Sequence, residues 1–144
     1  MKKVFIFFIA IVLISCNNKK KEDCTAVSTK EKKFKMYEMS EMAMLMEQMY
    51  AQNQQVRLQI INGDSIGKYP EFFNKIYSAK FTSANDNDDF FQENAKKYIT
   101  TQQLIYSESE KVKENFNKGV DACITCHQGK CSGPISRIKK LYIK

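Results

Sequence analysis

From Phe34 to Ile61 the chain contains neither proline nor glycine. Apolar residues recur there every three or four positions: Met39, Met42, Met46, Met49, Val56 and Ile60 fall on one face of a helix. A stripe of that length has to be buried against other elements to hold its helix in water. Asn62-Gly63 supplies the stop, because glycine accepts the left-handed backbone that closes a helix. Shorter helical segments follow. Pro70 suits the first turn of a second helix that carries Phe73, Ile76 and Tyr77 to about Ala79. Thr82 to Asp88 is a polar loop, with Asp86 or Asp88 as the N-cap of a third helix. That helix carries Phe91, Ala95, Tyr98, Leu104 and Ile105 to about Tyr106. Ser107 or Ser109 is placed to cap a fourth, with Val112, Phe116, Val120, Cys123 and His127 along one face. Gly133-Pro134 ends it, and Ile135 to Ile143 is a basic, partly apolar tail with room for a short helix. No segment alternates as a strand does. The expected fold is all-α, an antiparallel four-helix bundle.

The N-terminus reads differently. Lys2 and Lys3 precede an unbroken apolar run from Val4 to Ile14, shorter than the roughly 20 residues a membrane-spanning helix needs. It matches the apolar region of a secretory signal. The run ends Leu13-Ile14-Ser15-Cys16, which resembles a bacterial lipobox, with cleavage before Cys16 and acylation of its thiol. Residues 1–15 are therefore expected to be a lipoprotein signal peptide. Residues 16–33, polar and charged, read as a flexible tether, and 34–144 as the folded domain. The expected location is the bacterial cell envelope, lipid-anchored to the membrane and facing the periplasm.

Charge and cysteine usage fit an exported protein. The chain carries 23 Lys+Arg against 16 Asp+Glu, a formal +7, and loss of Lys2 and Lys3 with the signal lowers it. Basic and acidic residues are interspersed, so nucleic acid is not an expected partner; an acidic protein or an anionic surface suits the balance better. Of the 5 cysteines, Cys16 is assigned to the lipid. Cys24 and Cys131 are candidates for a disulfide, since the compartment is oxidising.

The remaining two sit in Cys123-Ile124-Thr125-Cys126-His127, and His127 is the only histidine of the chain. C-x-x-C-H is the attachment signature of c-type haem. Thiols at i and i+3 share a helix face and can meet the two vinyl groups of one porphyrin. His127, one turn beyond Cys123, is the proximal iron ligand. Two rival readings use the same residues. Cys123, Cys126, His127 and Cys131 make a Cys3His zinc set; a reactive dithiol is the other, though it belongs in a βαβ setting foreign to this chain. With one histidine no Ser-His-Asp or Cys-His system can be assembled beside the haem. Glu108/Glu110 and Asp88/Asp89 read as capping and turn residues, and no glycine-rich phosphate loop is present. The chain is not expected to be an enzyme.

A haem motif on the last long helix of a bundle resembles the class II c-type cytochromes, the cytochrome c-prime group and its low-spin relatives. The resemblance covers about Phe34 to Gln128. It implies one covalent haem c on the fourth helix and a sixth iron position governed by a residue of the first. Met46 is the implied distal ligand, with Met42 and Met49 as its alternatives one turn away. Thioether ligation opposite histidine raises the reduction potential, while most methionines of such a stripe simply fill the core. The family usually places a basic residue soon after the haem histidine on a continuing helix. Here Gln128 to Pro134 is expected to break the helix first, passing that role to Lys130 or Arg137 or leaving it unfilled. Relatives often form dimers through bundle helices.

The function this implies is a membrane-tethered monohaem cytochrome that carries single electrons between periplasmic redox partners. A five-coordinate protein binding nitric oxide or carbon monoxide is the alternative. A non-haem zinc or dithiol interaction module is the second.

Overall fold

Ser40 opens the first helix by accepting a hydrogen bond from the amide of Ala43 at 3.2 Å, the standard use of a hydroxyl at an N-cap. In the computed structural model, which describes residues 38–144, this helix, α1, spans Glu41–Asn62. Gly63 closes it at φ 74°, as Asn62-Gly63 predicts. The apolar periodicity continues upstream of Ser40, but residues 38–40 are not helical. The Ser40 cap, not the periodicity, sets the boundary. Met39 consequently lies before α1 and is 42% exposed, so it drops out of the stripe, and Leu45 joins Met42, Met49, Asn53 and Val56 in the buried face.

The expected second helix is replaced by a 3-10 segment, Glu71–Tyr77. Pro70 caps it from outside rather than entering the first turn, its carbonyl accepting from Phe73 N at 3.0 Å. Residues three apart align in a 3-10 helix, which lets Phe73 and Ile76 bury together on its inner side. Another 3-10 turn, Ala84–Asp86, precedes α2, Asp89–Ser107. Asp88 is the N-cap, accepting from Phe91 N at 2.9 Å.

A final long helix, α3, covers Val112–Lys130 after a 3-10 turn at Ser109–Lys111. Neither serine caps it: Ser107 ends α2, and Lys111 at the N-cap position makes no side-chain bond. Its C-terminus also departs from expectation. The helix runs through Gln128 and Gly129 to Lys130, with Cys131 N still bonded to His127 O at 3.0 Å. The missing side chain of Gly129 leaves room for the Phe90 ring, which comes within 2.5 Å of where its Cβ would be. The tail folds into α4, Ile135–Ile138, and a 3-10 turn, Lys139–Leu141.

The architecture is an all-α bundle of packed helices, with no strand among the described residues. Packing is most extensive between α2 and α3. Two apolar clusters form the interior. One gathers Met42, Leu45 and Met49 with Phe73, Phe91 and Tyr98; the other joins Val56, Phe116 and Val120 to Ile138, Leu141 and Ile143 of the tail. The tail is thus part of the core, and Asn117 clamps it by donating to Ile143 O and accepting from Ile143 N, both at 2.9 Å. Cys123 borders both clusters. Among the described residues no helix is long and apolar enough to cross a membrane.

Candidate functional site

A cavity of about 360 Å³ lies between α1 and α3, within the size range of ligand-binding cavities. On one wall are Cys123, Cys126 and His127; on the other are Met42, Met46 and Met49. Helical spacing accounts for both walls, since i, i+3 and i+4 positions share a face. Met42 and Met49 are buried, at 6% and 5% exposure, while Met46 is partly buried beside the same cluster.

The two motif thiols are electrically quiet. Burial pushes the Cys123 thiol up to about 12, and the neighbouring Cys126 adds to the rise. Burial also raises Cys126, with Cys131 as the next contributor. A nucleophilic dithiol needs the opposite, a lowered value beside cations or a helix N-terminus. These thiols sit on the last two turns of a helix.

His127 is oriented by the chain that follows it. Its Nδ1 lies 3.0 Å from the carbonyl oxygen of Cys131. A carbonyl only accepts, so Nδ1 carries the hydrogen and donates, and Nε2 keeps its lone pair for a metal. The Cys131 sulfur lies 3.2 Å from the same Nδ1. Cys131 therefore packs on the far nitrogen of the ring, away from the one a metal would use. Among the described residues no group of three or more His, Cys, Asp or Glu side chains is arranged to hold a metal ion.

Basic side chains close the rim. Lys130, its side chain 18% exposed, pairs with Asp88 at 2.6 Å. Arg137 Nη1 donates to Glu47 Oε2 at 2.9 Å, and its guanidinium lies over the Tyr50 ring, 4.5 Å from the centroid. Both cations line the cavity, and Lys130 stands on the helix that carries the motif.

One part of the site is not foreseen by periodicity and motif: a buried chain of amides and a phenol. Gln102 Nε2 donates to Asn53 Oδ1 at 3.2 Å, and Asn53 Nδ2 donates to Tyr98 OH at 3.1 Å. The sequence does carry a signal for it, since Asn53 sits on the α1 stripe four residues after Met49 and three before Val56. A polar residue at a core position needs a partner. Cys16, expected to carry the lipid, and the disulfide candidate Cys24 lie outside the described residues, so the Cys24–Cys131 pairing does too.

Compared with known proteins, the chain matches no family model, no curated protein sequence and no solved structure.

Proposed function

We propose that this chain is a monohaem c-type cytochrome of class II character, tethered to the membrane by a lipid on Cys16 and carrying single electrons between periplasmic partners. One observation carries the reading: one cavity between α1 and α3 is lined by both C-x-x-C-H thiols, the histidine and the three candidate methionines. The haem would supply the Fe(II)/Fe(III) couple; the protein supplies attachment, ligation and exclusion of water.

Each residue has a defined task. Cys123 and Cys126 would hold the porphyrin covalently, as thioethers. His127 presents Nε2 as the proximal ligand, and the Cys131 carbonyl holds the ring in the right tautomer. Lys130 and Arg137, at the rim of the cavity, would meet the propionates by exchanging their partners Asp88 and Glu47. Met46 is the proposed distal ligand, the partly buried member of the methionine set and so the one least committed to core packing. In this reading the bundle is the four-helix form, with the 3-10 segment Glu71–Tyr77 standing where relatives have a second long helix.

The place of Cys131 against His127 Nδ1 weighs against a Cys3His zinc site, and the raised thiols weigh against a reactive dithiol. The absorption spectrum of the oxidised protein tests the carrier reading. A low-spin pattern with a methionine–iron charge-transfer band is expected, and Met46→Ala should abolish that band. A high-spin, five-coordinate spectrum with avid carbon monoxide binding in the reduced state would replace the carrier by a gas-binding protein.

A further inference from the structure

The buried amide chain has a direction. The Met49 carbonyl, 2.8 Å from Asn53 Nδ2, can only accept, so the orientation of the Asn53 amide is compelled. One hydrogen of Nδ2 goes to Met49 O and the other to Tyr98 OH at 3.1 Å. Asn53 Oδ1 is meanwhile the acceptor for Gln102. The Tyr98 oxygen is therefore an acceptor in its contact with Asn53, and its own hydrogen remains to be donated. Among the described residues no atom receives it. Tyr98 is 4% exposed and lines the cavity, so its hydrogen is available to whatever occupies the cavity. A buried donor left unmatched costs free energy that an occupant of the cavity can remove.

We propose that Tyr98 is a built-in hydrogen-bond donor to the cavity's occupant, delivering its phenolic hydrogen to an acceptor atom bonded to the haem iron. This rests on the haem reading above. The rim cations suit the propionates, which leaves the atoms on iron as the acceptors for a neutral phenol. That acceptor is either a methionine sulfur of α1 or an atom of an exogenous ligand, and the two share one chemistry: a donor withdraws electron density from the iron's ligand. Burial holds the phenol in its protonated form, as a donor must be. Gln102 and Asn53 act as positioning residues that set the direction of the bond.

The test compares haem-loaded wild type with Tyr98→Phe, which keeps the ring and its packing on Phe73, 5.9 Å away between centroids. Loss of the donor favours Fe(III). The reduction equilibrium is expected to move by up to about tenfold, roughly 59 mV downward for a one-electron couple, with haem content unchanged. If the acceptor is sulfur, the charge-transfer band of the oxidised protein moves as well. If it is an exogenous ligand, the stretching band of bound carbon monoxide moves instead. In wild type the responsive band should also shift between H2O and D2O, and this measurement decides the matter alone if the variant does not fold. Haem-loaded wild type with no deuterium sensitivity, and a variant with unchanged potential, would overturn the donor role. A wild type with no haem would overturn the proposed function itself.

Discussion

The Lys130 ammonium lies 2.6 Å from Oδ2 of Asp88, the residue that caps α2. The last turn of the motif helix is thereby tied to the first turn of its neighbour. Lys130 also lies over the Phe90 ring, 5.9 Å from the centroid, so charge and ring packing hold one point at the mouth of the cavity.

That tie gives the site an acid-sensitive edge. The Lys130 side chain, followed by the Phe91 amide, holds the Asp88 carboxyl below its ordinary 3.8. A lowered folded-state value contributes stability above pH 3.8 that is lost as pH falls through the folded value. Asp88→Asn keeps a capping oxygen for Phe91 but no charge for Lys130. Its denaturation midpoint is expected to depend less on pH than wild type between neutrality and pH 3, by urea titration at each pH.

Gly119 and Gly129 both sit within α3, and their alanine variants should behave differently. A Cβ on Gly119 would stand 2.9 Å from Gln102 Nε2, and Gln102 is only 2% exposed with nowhere to move. Crowding there should cost about 1–3 kcal/mol, outweighing the roughly 1 kcal/mol that alanine adds to helix propensity. A Cβ on Gly129 meets the tip of Phe90, a ring 41% exposed that can swing into solvent. Gly129→Ala is expected to be near neutral. Thermal unfolding of the two variants checks the contrast.

The amide chain predicts non-additive costs. Gln102→Leu strands Asn53 Oδ1 inside the protein, at about 1–3 kcal/mol. Asn53→Leu strands the Gln102 amide and removes the partner of Tyr98. The double variant should cost less than the two singles together, because it leaves fewer orphaned groups; a double-mutant cycle in urea measures the difference.

How far the sequence foretold this site depends on which force decided each element. The α1 stripe from Met42 to Val56, the Asn62-Gly63 stop and the Asp88 cap were legible, because local periodicity and capping chemistry suffice for them. The faces of α1 and α3 that carry Met46 and Cys123 followed from helical spacing alone. Three features depended on tertiary contacts instead. Glu71–Tyr77 tightened to a 3-10 segment to bury Phe73 and Ile76 together. The motif helix continued through Gly129 to Lys130, whose ammonium pairs with Asp88 at the start of α2 and whose neighbour Gly129 makes room for Phe90. The basic tail became core because Ile138, Leu141 and Ile143 had an apolar cluster to join. Phe90, Gly129 and the tail meet their partners only once the chain is folded, which no window of neighbouring residues displays.

The methionines of α1 should separate by role. Met42→Ala and Met49→Ala open space in a buried cluster and are expected to cost about 2–5 kcal/mol each. Met46→Ala, partly buried at the cavity wall, should cost distinctly less stability while having the largest effect on the spectrum of the loaded protein. Paired urea and absorbance titrations of the three variants resolve the two effects.

The most direct test of the central claim is peptide mass spectrometry on protein made in cells able to mature c-type cytochromes. The peptide containing Cys123 and Cys126 is expected to carry the mass of one haem after denaturation, and to lose it in the Cys123→Ala/Cys126→Ala variant. Recovery of that peptide from wild type at its unmodified mass, in cells that load other c-type cytochromes, would contradict the account.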